Sequence, residues 1–210
     1  MNEMKNNKLE QAFKNIAKTV GESRPALQCL HVDKKGYAVV TDSHRLLKID
    51  GYKDASDETS YNLNLMTFQL ENELFYPDTE RIIPETNDLT WWFSIETVKT
   101  LATFFKPFKV KKNFRYDDAS LITMTCKDDH ITFTAGSGAS ITVECSQVHA
   151  TYDDTCKNMD IHIQGGYLSQ AFEFFKDYGT GVTVGYGGDL RPLVMKVDDA
   201  TYMVTPVRKF

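Results

Sequence analysis

The chain has 210 residues, 41% of them hydrophobic and 25% charged, which suits one large globular domain or two small ones. No apolar run approaches the ~20 residues that cross a bilayer, and collagen, coiled coil and long disorder are excluded by the same composition. The net charge of −5 argues against a surface coated with basic residues for nucleic acid, but not against one basic face on an acidic body.

The start, MNEMKNNKLEQ, is polar and lacks the apolar core of a secretory signal, so a cytoplasmic location is expected. Residues 5–20 have a helical period, with Leu9, Ala12, Phe13, Ile16, Ala17 and Val20 on one stripe. Asn7, Gln11, Lys14, Asn15 and Lys18 take the opposite face, Lys8 its margin, and Gly21 ends the helix. Taken alone this is an ordinary solvated amphipathic helix. With Glu10 as its only mid-helix acid, it also suits a phosphate-facing one. Strands are predicted at 26–32, 37–41, 44–49 and 61–65, with a polar loop over 50–60. Pro77 and Pro84 exclude a long helix between 66 and 90, and 64–73 is the only weak helical candidate there. The polar PETND stretch at 84–88 marks a boundary, giving expected domains 1–86 and 87–210.

A second helix is predicted over 95–106, stopped by Pro107. Lys106, Lys109, Lys111, Lys112 and Arg115 follow, interleaved with Phe108 and Phe114, as the most basic stretch of an acidic chain. It reads either as a solvated turn or as a patch that contacts a phosphate backbone. Strands are predicted at 121–126, 130–135, 140–147 and 160–164, a third helix at 167–178, and a closing meander at 182–186, 190–197 and 201–207. Strands joined by short turns make antiparallel sheets, and the class is α+β.

Catalytic chemistry is not visible. Asp42-Ser43-His44 places neighbours on opposite sides of an extended chain, which does not make a nucleophile and base pair. His31, His130, His149 and His162 lack metal-ligand spacing. Cys29, Cys126, Cys145 and Cys156 form no CxxC pair and are expected as reduced thiols. Neither GSG at 136–138 nor GYGG at 185–188 opens a predicted helix, so neither cradles phosphate. No cofactor and no metal are expected, and elimination favours a binding module over an enzyme.

Three separated stretches carry a resemblance. RPALQCLHVDKKGYAVVTDSHRLLKI spans 24–49, FYPDTERIIP spans 75–84, and 160–208 contains YLSQAFEFF and then RPLVMKVDDATYMVTPVR. In order and spacing these resemble the bacterial sliding clamp family, the DNA polymerase III beta subunit, whose middle domain carries RPxL and TD[GS]HRL strands. A [FY]PDxxRxxP segment joins that family's middle and last domains, and its last strand ends in PVR. The family's first domain has no counterpart here, and the middle-domain part is short.

The resemblance implies the DNA-clamp fold: two clamp-type domains with antiparallel sheets outside and helices lining the inner face. It implies a processivity factor that encircles double-stranded DNA without reading sequence and holds a DNA polymerase there. Lys8, Lys14, Lys18, Lys106, Lys109, Lys111, Lys112 and Arg115 would then face DNA. A hydrophobic groove for polymerase and clamp-loader peptides maps onto Leu27, Thr41, Ser43, His44, Arg45, Leu46, Pro77, Arg81, Ile82, Val204, Thr205, Pro206, Val207 and Arg208. Thr205 replaces the apolar residue usual before that proline. Clamps of this family close as dimers of three-domain chains. Two domains per chain therefore point to a homotrimer closed head to tail, and the small size to a phage replication factor in a bacterial host cytoplasm. The competing reading is a clamp-like interaction protein that binds those peptides without encircling DNA.

Overall fold

The computed structural model describes residues 3–54, 56–111, 118–127, 129–150, 159 and 161–208. The described helices are α1 (Glu3–Ala17), α2 (Ile95–Phe105) and α3 (Gly165–Tyr178). The strands, in order, are β1 (Cys29–Val32), β2 (Ala38–Thr41), β3 (Arg45–Ile49), β4 (Tyr61–Asn64), β5 (Leu89–Phe93), β6 (Leu121–Lys127) and β7 (His130–Ala135). They continue as β8 (Ser140–Glu144), β9 (Ser146–Ala150), β10 (Ile161–Gln164), β11 (Val182–Tyr186), β12 (Leu193–Lys196) and β13 (Ala200–Val204). The chain divides into two compact units, Met1–Ile83 with Asp198–Met203, and Pro84–Val197 with Val204–Phe210.

In the first unit the strand order is β4-β1-β2-β3-β13, antiparallel through β4-β1-β2-β3. Helix α1 packs across β1, β2 and β3. Leu9, Phe13, Ile16, Ala17 and Val20 of the predicted stripe are buried, each large side chain contributing about 1.5–3 kcal/mol by leaving water. The weak helical candidate 64–73 is not a helix. Asn64 Oδ1 accepts from Met66 N–H at 2.9 Å and Thr67 N–H at 3.1 Å, Phe68 takes φ 59°, and Leu70 bridges back to Leu63. A side chain that bonds the next backbone groups this way favours a turn over a helix.

The second unit holds two antiparallel sheets, β12-β11-β5-β9 and β10-β6-β7-β8. Phenylalanines from α2, α3, β5 and β7 fill its core. Phe105 stacks on Phe172 at 5.6 Å and meets Phe133 edge-on at 5.4 Å, while Phe93 stacks on Phe172 at 6.4 Å. Such ring pairs add about 0.5–1.5 kcal/mol each beyond their buried area.

Three further boundaries differ from the sequence expectation. Pro25–Gln28 is a 3-10 turn ahead of β1 rather than strand, since proline fixes a turn-compatible φ. Strand β5 falls in a stretch with no strand prediction. The predicted strand at 140–147 is two strands, β8 and β9, in different sheets, broken at Cys145, whose N–H donates to Asp129 C=O at 2.8 Å. Among the described residues, no helix is long and apolar enough to cross a membrane.

Candidate functional site

The TDSHRL segment forms the turn from β2 to β3. Asp42 Oδ1 accepts the N–H groups of His44 and Arg45 at 2.9 and 2.8 Å. Its Oδ2 takes Arg45 Nη2 at 2.8 Å, Arg45 Nε at 3.1 Å and Thr19 Oγ1 at 2.8 Å. Ile16 C=O lies 2.7 Å from the same Thr19 Oγ1 and shares its one proton with Asp42, which ties the end of α1 to the turn. Arg45 Nη2 also reaches Asn15 C=O at 3.5 Å, in the last turn of α1, where the helix dipole favours positive charge. Burial pushes the Asp42 carboxyl up, but the Arg45 charge and the bonds from Arg45, Thr19 and His44 N–H outweigh it and hold it below the usual carboxylate range.

This arrangement separates the motif into two sets. Thr41, Asp42, Arg45 and Leu46 are buried, and Thr41 Oγ1 donates to Arg45 C=O at 2.6 Å. Ser43 and His44 are exposed. Ser43 adopts φ 76°, a left-handed conformation that favours glycine, and its Oγ accepts from Arg24 Nη1 at 2.9 Å. Leu27 is buried on the 3-10 turn. Arg45, expected as a groove residue, thus has its guanidinium inside the first unit.

In the 75–84 segment, Tyr76 is buried and stacks on His31 at 4.8 Å. Pro77, Arg81 and Ile82 are exposed, and Arg81 Nε pairs with Asp78 at 2.8 Å. In the second unit Val204 is buried, Thr205, Pro206 and Val207 are half-buried and Arg208 is exposed. Val207 N–H donates to His162 C=O at 2.7 Å, so the tail runs beside β10. Sequence reading missed exposed Leu190 (68%) and Phe68 (62%), because a single apolar residue in a turn breaks no periodicity.

Of the basic residues, Lys8 is exposed and Lys14 half-buried on α1, and Lys18 is exposed just past its end. Lys18 donates to Asn15 Oδ1 at 2.6 Å. Lys14 lies 4.7 Å over the Phe68 ring and 4.0 Å from Glu10. Lys106, Lys109 and Lys111 are exposed; Lys112 and Arg115 lie outside the described residues.

The 109–111 backbone has a built seat. Buried Gln164 accepts from Lys111 N–H at 3.3 Å and donates to Lys111 C=O at 3.2 Å. A Cβ on Gly166 would stand 2.4 Å from Lys109 C and Val110 N, and one on Gly165 2.8 Å from Ser120 C=O. The pair of glycines opening α3 is therefore required by close backbone approach. Lys111 Nζ donates to both Asp118 oxygens at 2.6 and 2.7 Å. Gln164, Gly165, Gly166 and Asp118 were absent from the sequence expectation; the double glycine after a strand was the available signal. Among the described residues, no group of three His, Cys, Asp or Glu side chains could hold a metal ion.

The two units, antiparallel-sheet assemblies with one α-helix on the first and two on the second among the described residues, constitute a DNA-clamp fold, class α+β. In particular, the chain has the fold of the bacterial DNA polymerase III beta sliding clamp. It superposes on the Pseudomonas aeruginosa clamp bound to griselimycin with TM-score 0.71 at 14% identity, over 96% of this chain and 63% of that one. The C. crescentus beta sliding clamp gives 0.69 at 17% identity, over 97% and 64%. The Bacillus subtilis DNA polymerase sliding clamp gives 0.66 at 16%, over 97% and 63%. The chain thus spans under two thirds of the length of these clamps. No protein-family model and no curated protein matches the sequence.

Proposed function

We propose that this chain is a DNA sliding clamp that encircles duplex DNA and tethers a polymerase, acting as a non-enzymatic processivity factor in a bacterial host cytoplasm. The observation that carries this reading is the clamp fold over 96% of the chain. Lys8, Lys14, Lys18, Lys106 and Lys109 supply the phosphate contacts, which are independent of base sequence. Leu27, Thr41, Ser43, His44, Leu46, Pro77, Arg81, Ile82 and the 204–208 tail are the residues proposed to receive short peptides of the polymerase and clamp loader. Arg45 supports that set from inside by fixing the turn that presents Ser43 and His44. Two clamp-type domains per chain, divided near 86, make three chains the number that supplies a six-domain ring, closed head to tail.

Retention on nicked circular DNA that is lost on linearisation tests encirclement. Lys14→Glu with Lys18→Glu weakens retention, most at low salt; unchanged retention would show that α1 does not face DNA. Light scattering across concentration reads the trimer, and a strict monomer at high concentration and low salt would overturn it. One other reading is an interaction protein that binds polymerase or loader peptides without encircling DNA. Peptide binding with no topological retention selects it.

A further inference from the structure

We propose that Asp118 limits how tightly this chain holds DNA, by occupying the Lys111 ammonium that a phosphate would otherwise take. This rests on the DNA-binding reading above. An exposed ion pair is ordinarily weak, because two long side chains must be ordered to form it. Here both partners are ordered by bonds outside the pair. Asp118 Oδ1 also accepts Ser120 N–H at 2.9 Å and Ser120 Oγ at 2.7 Å, and the Asp118 side chain is only 12% exposed. The Lys111 backbone is clasped by Gln164, and the Lys109–Val110 backbone just before it lies on the glycine seat of α3.

The Lys111 hydrogen bond, followed by the Ser120 bonds, lowers the Asp118 carboxyl to about 2, so it stays charged at any working pH. The Lys111 side chain is 47% exposed and within reach of a polyanion, yet its charge is already balanced. Among the described residues, Lys106 and Lys109 carry no such partner. A phosphate reaching Lys111 must either displace a fixed carboxylate or sit beside it, and both weaken the hold. A ring that slides gains from a hold of this kind, since each strong phosphate contact is a barrier to movement along the duplex.

The test is equilibrium binding of a random-sequence duplex across a salt series, using wild type, Asp118→Asn, Lys111→Gln and the double variant. Asparagine keeps the shape and an acceptor for Ser120 N–H while removing the charge. Asp118→Asn is expected to bind several-fold more tightly at low salt, with a salt slope steeper by about 0.9, the value of one added phosphate contact. Lys111→Gln alone, a surface change that leaves the fold intact, should barely weaken binding, and in the double variant the gain should vanish. Asp118→Asn with unchanged affinity and slope, while Lys18→Glu still weakens binding, overturns the inference and leaves the DNA reading standing. So does a Lys111→Gln loss in the wild type as large as in Asp118→Asn. No duplex binding by any of these proteins at low salt overturns the DNA reading, and this inference with it.

Discussion

The first unit adds to the buried apolar stripe of α1 a buried ion pair that ties the helix end to the β2–β3 turn, whereas the second fills the space around α2 and α3 with phenylalanine rings. The two solutions respond to different insults. The Arg45–Asp42 pair is orientation-specific and fixes one turn against one helix end, but it strands a charge when either partner is lost. The ring cluster has no titrating group, tolerates small shifts, and loses stability in proportion to the volume removed. The polar tie sets where the helix end meets the turn, which an apolar stripe alone fixes less sharply.

Mutations at the two centres should separate these behaviours. Phe172→Ala, at the middle of the ring cluster, is expected to cost about 3–5 kcal/mol through transfer loss and a cavity, and Phe172→Leu distinctly less. Asp42→Ala is expected to cost a comparable amount, about 3–5 kcal/mol, by leaving Arg45 buried and unpaired. The double change Asp42→Asn with Arg45→Met, which removes both charges and keeps an acceptor for the His44 and Arg45 N–H groups, should recover much of it. Urea unfolding followed by circular dichroism reads both; a mild effect of Asp42→Ala would mean that Arg45 finds water.

Acid sharpens the contrast. The Asp42 carboxyl is held below its ordinary value of 3.8, so the ion pair's contribution is fully present above that value. It is lost as the pH falls below 3.8 through the folded-state value. Stability of the first unit should fall over that window in wild type and fall less in Asp42→Asn. Asp118 is lowered too, but its position near the surface leaves it a minor part of any acid loss in the second unit.

Gly166→Ala sits lower on the scale. Its Cβ meets the Lys109–Val110 backbone, and overpacking of this kind costs about 1–3 kcal/mol. Amide exchange at Lys111 should quicken in this variant, because the Gln164 clasp is displaced. The smallest effect is expected of Ser43→Gly, under about 1 kcal/mol either way. Glycine relieves the left-handed φ but removes the acceptor used by Arg24. Thermal melts of these two variants should rank them in that order.

Periodic elements were legible in the sequence. The stripe of α1, the Pro107 stop of α2 and the meander β11, β12 and β13 all announce themselves locally. β5 did not, because Leu89-Thr90-Trp91-Trp92-Phe93 is nearly continuous in apolar character and its pairings lie with β9 and β11, far along the chain. TDSHRL was legible as a motif, but not as a motif whose arginine faces inward, since that depends on Thr19 and the end of α1, 26 residues away. The seat of the basic segment was invisible for the same reason: Gln164 reaches back 53 residues to Lys111. Local spacing encodes elements, while the polar ties that aim a site join residues whose separation carries no pattern.

The adjacency of Trp91 and Trp92 on β5 has an optical consequence. They are the chain's two tryptophans, one fully buried and one exposed, and both belong to the second unit. Indole emission is therefore blind to the first unit, and iodide should quench the Trp92 part of the signal while sparing Trp91. Comparing emission with helical ellipticity during one unfolding titration would tell which unit gives way first, with no label attached.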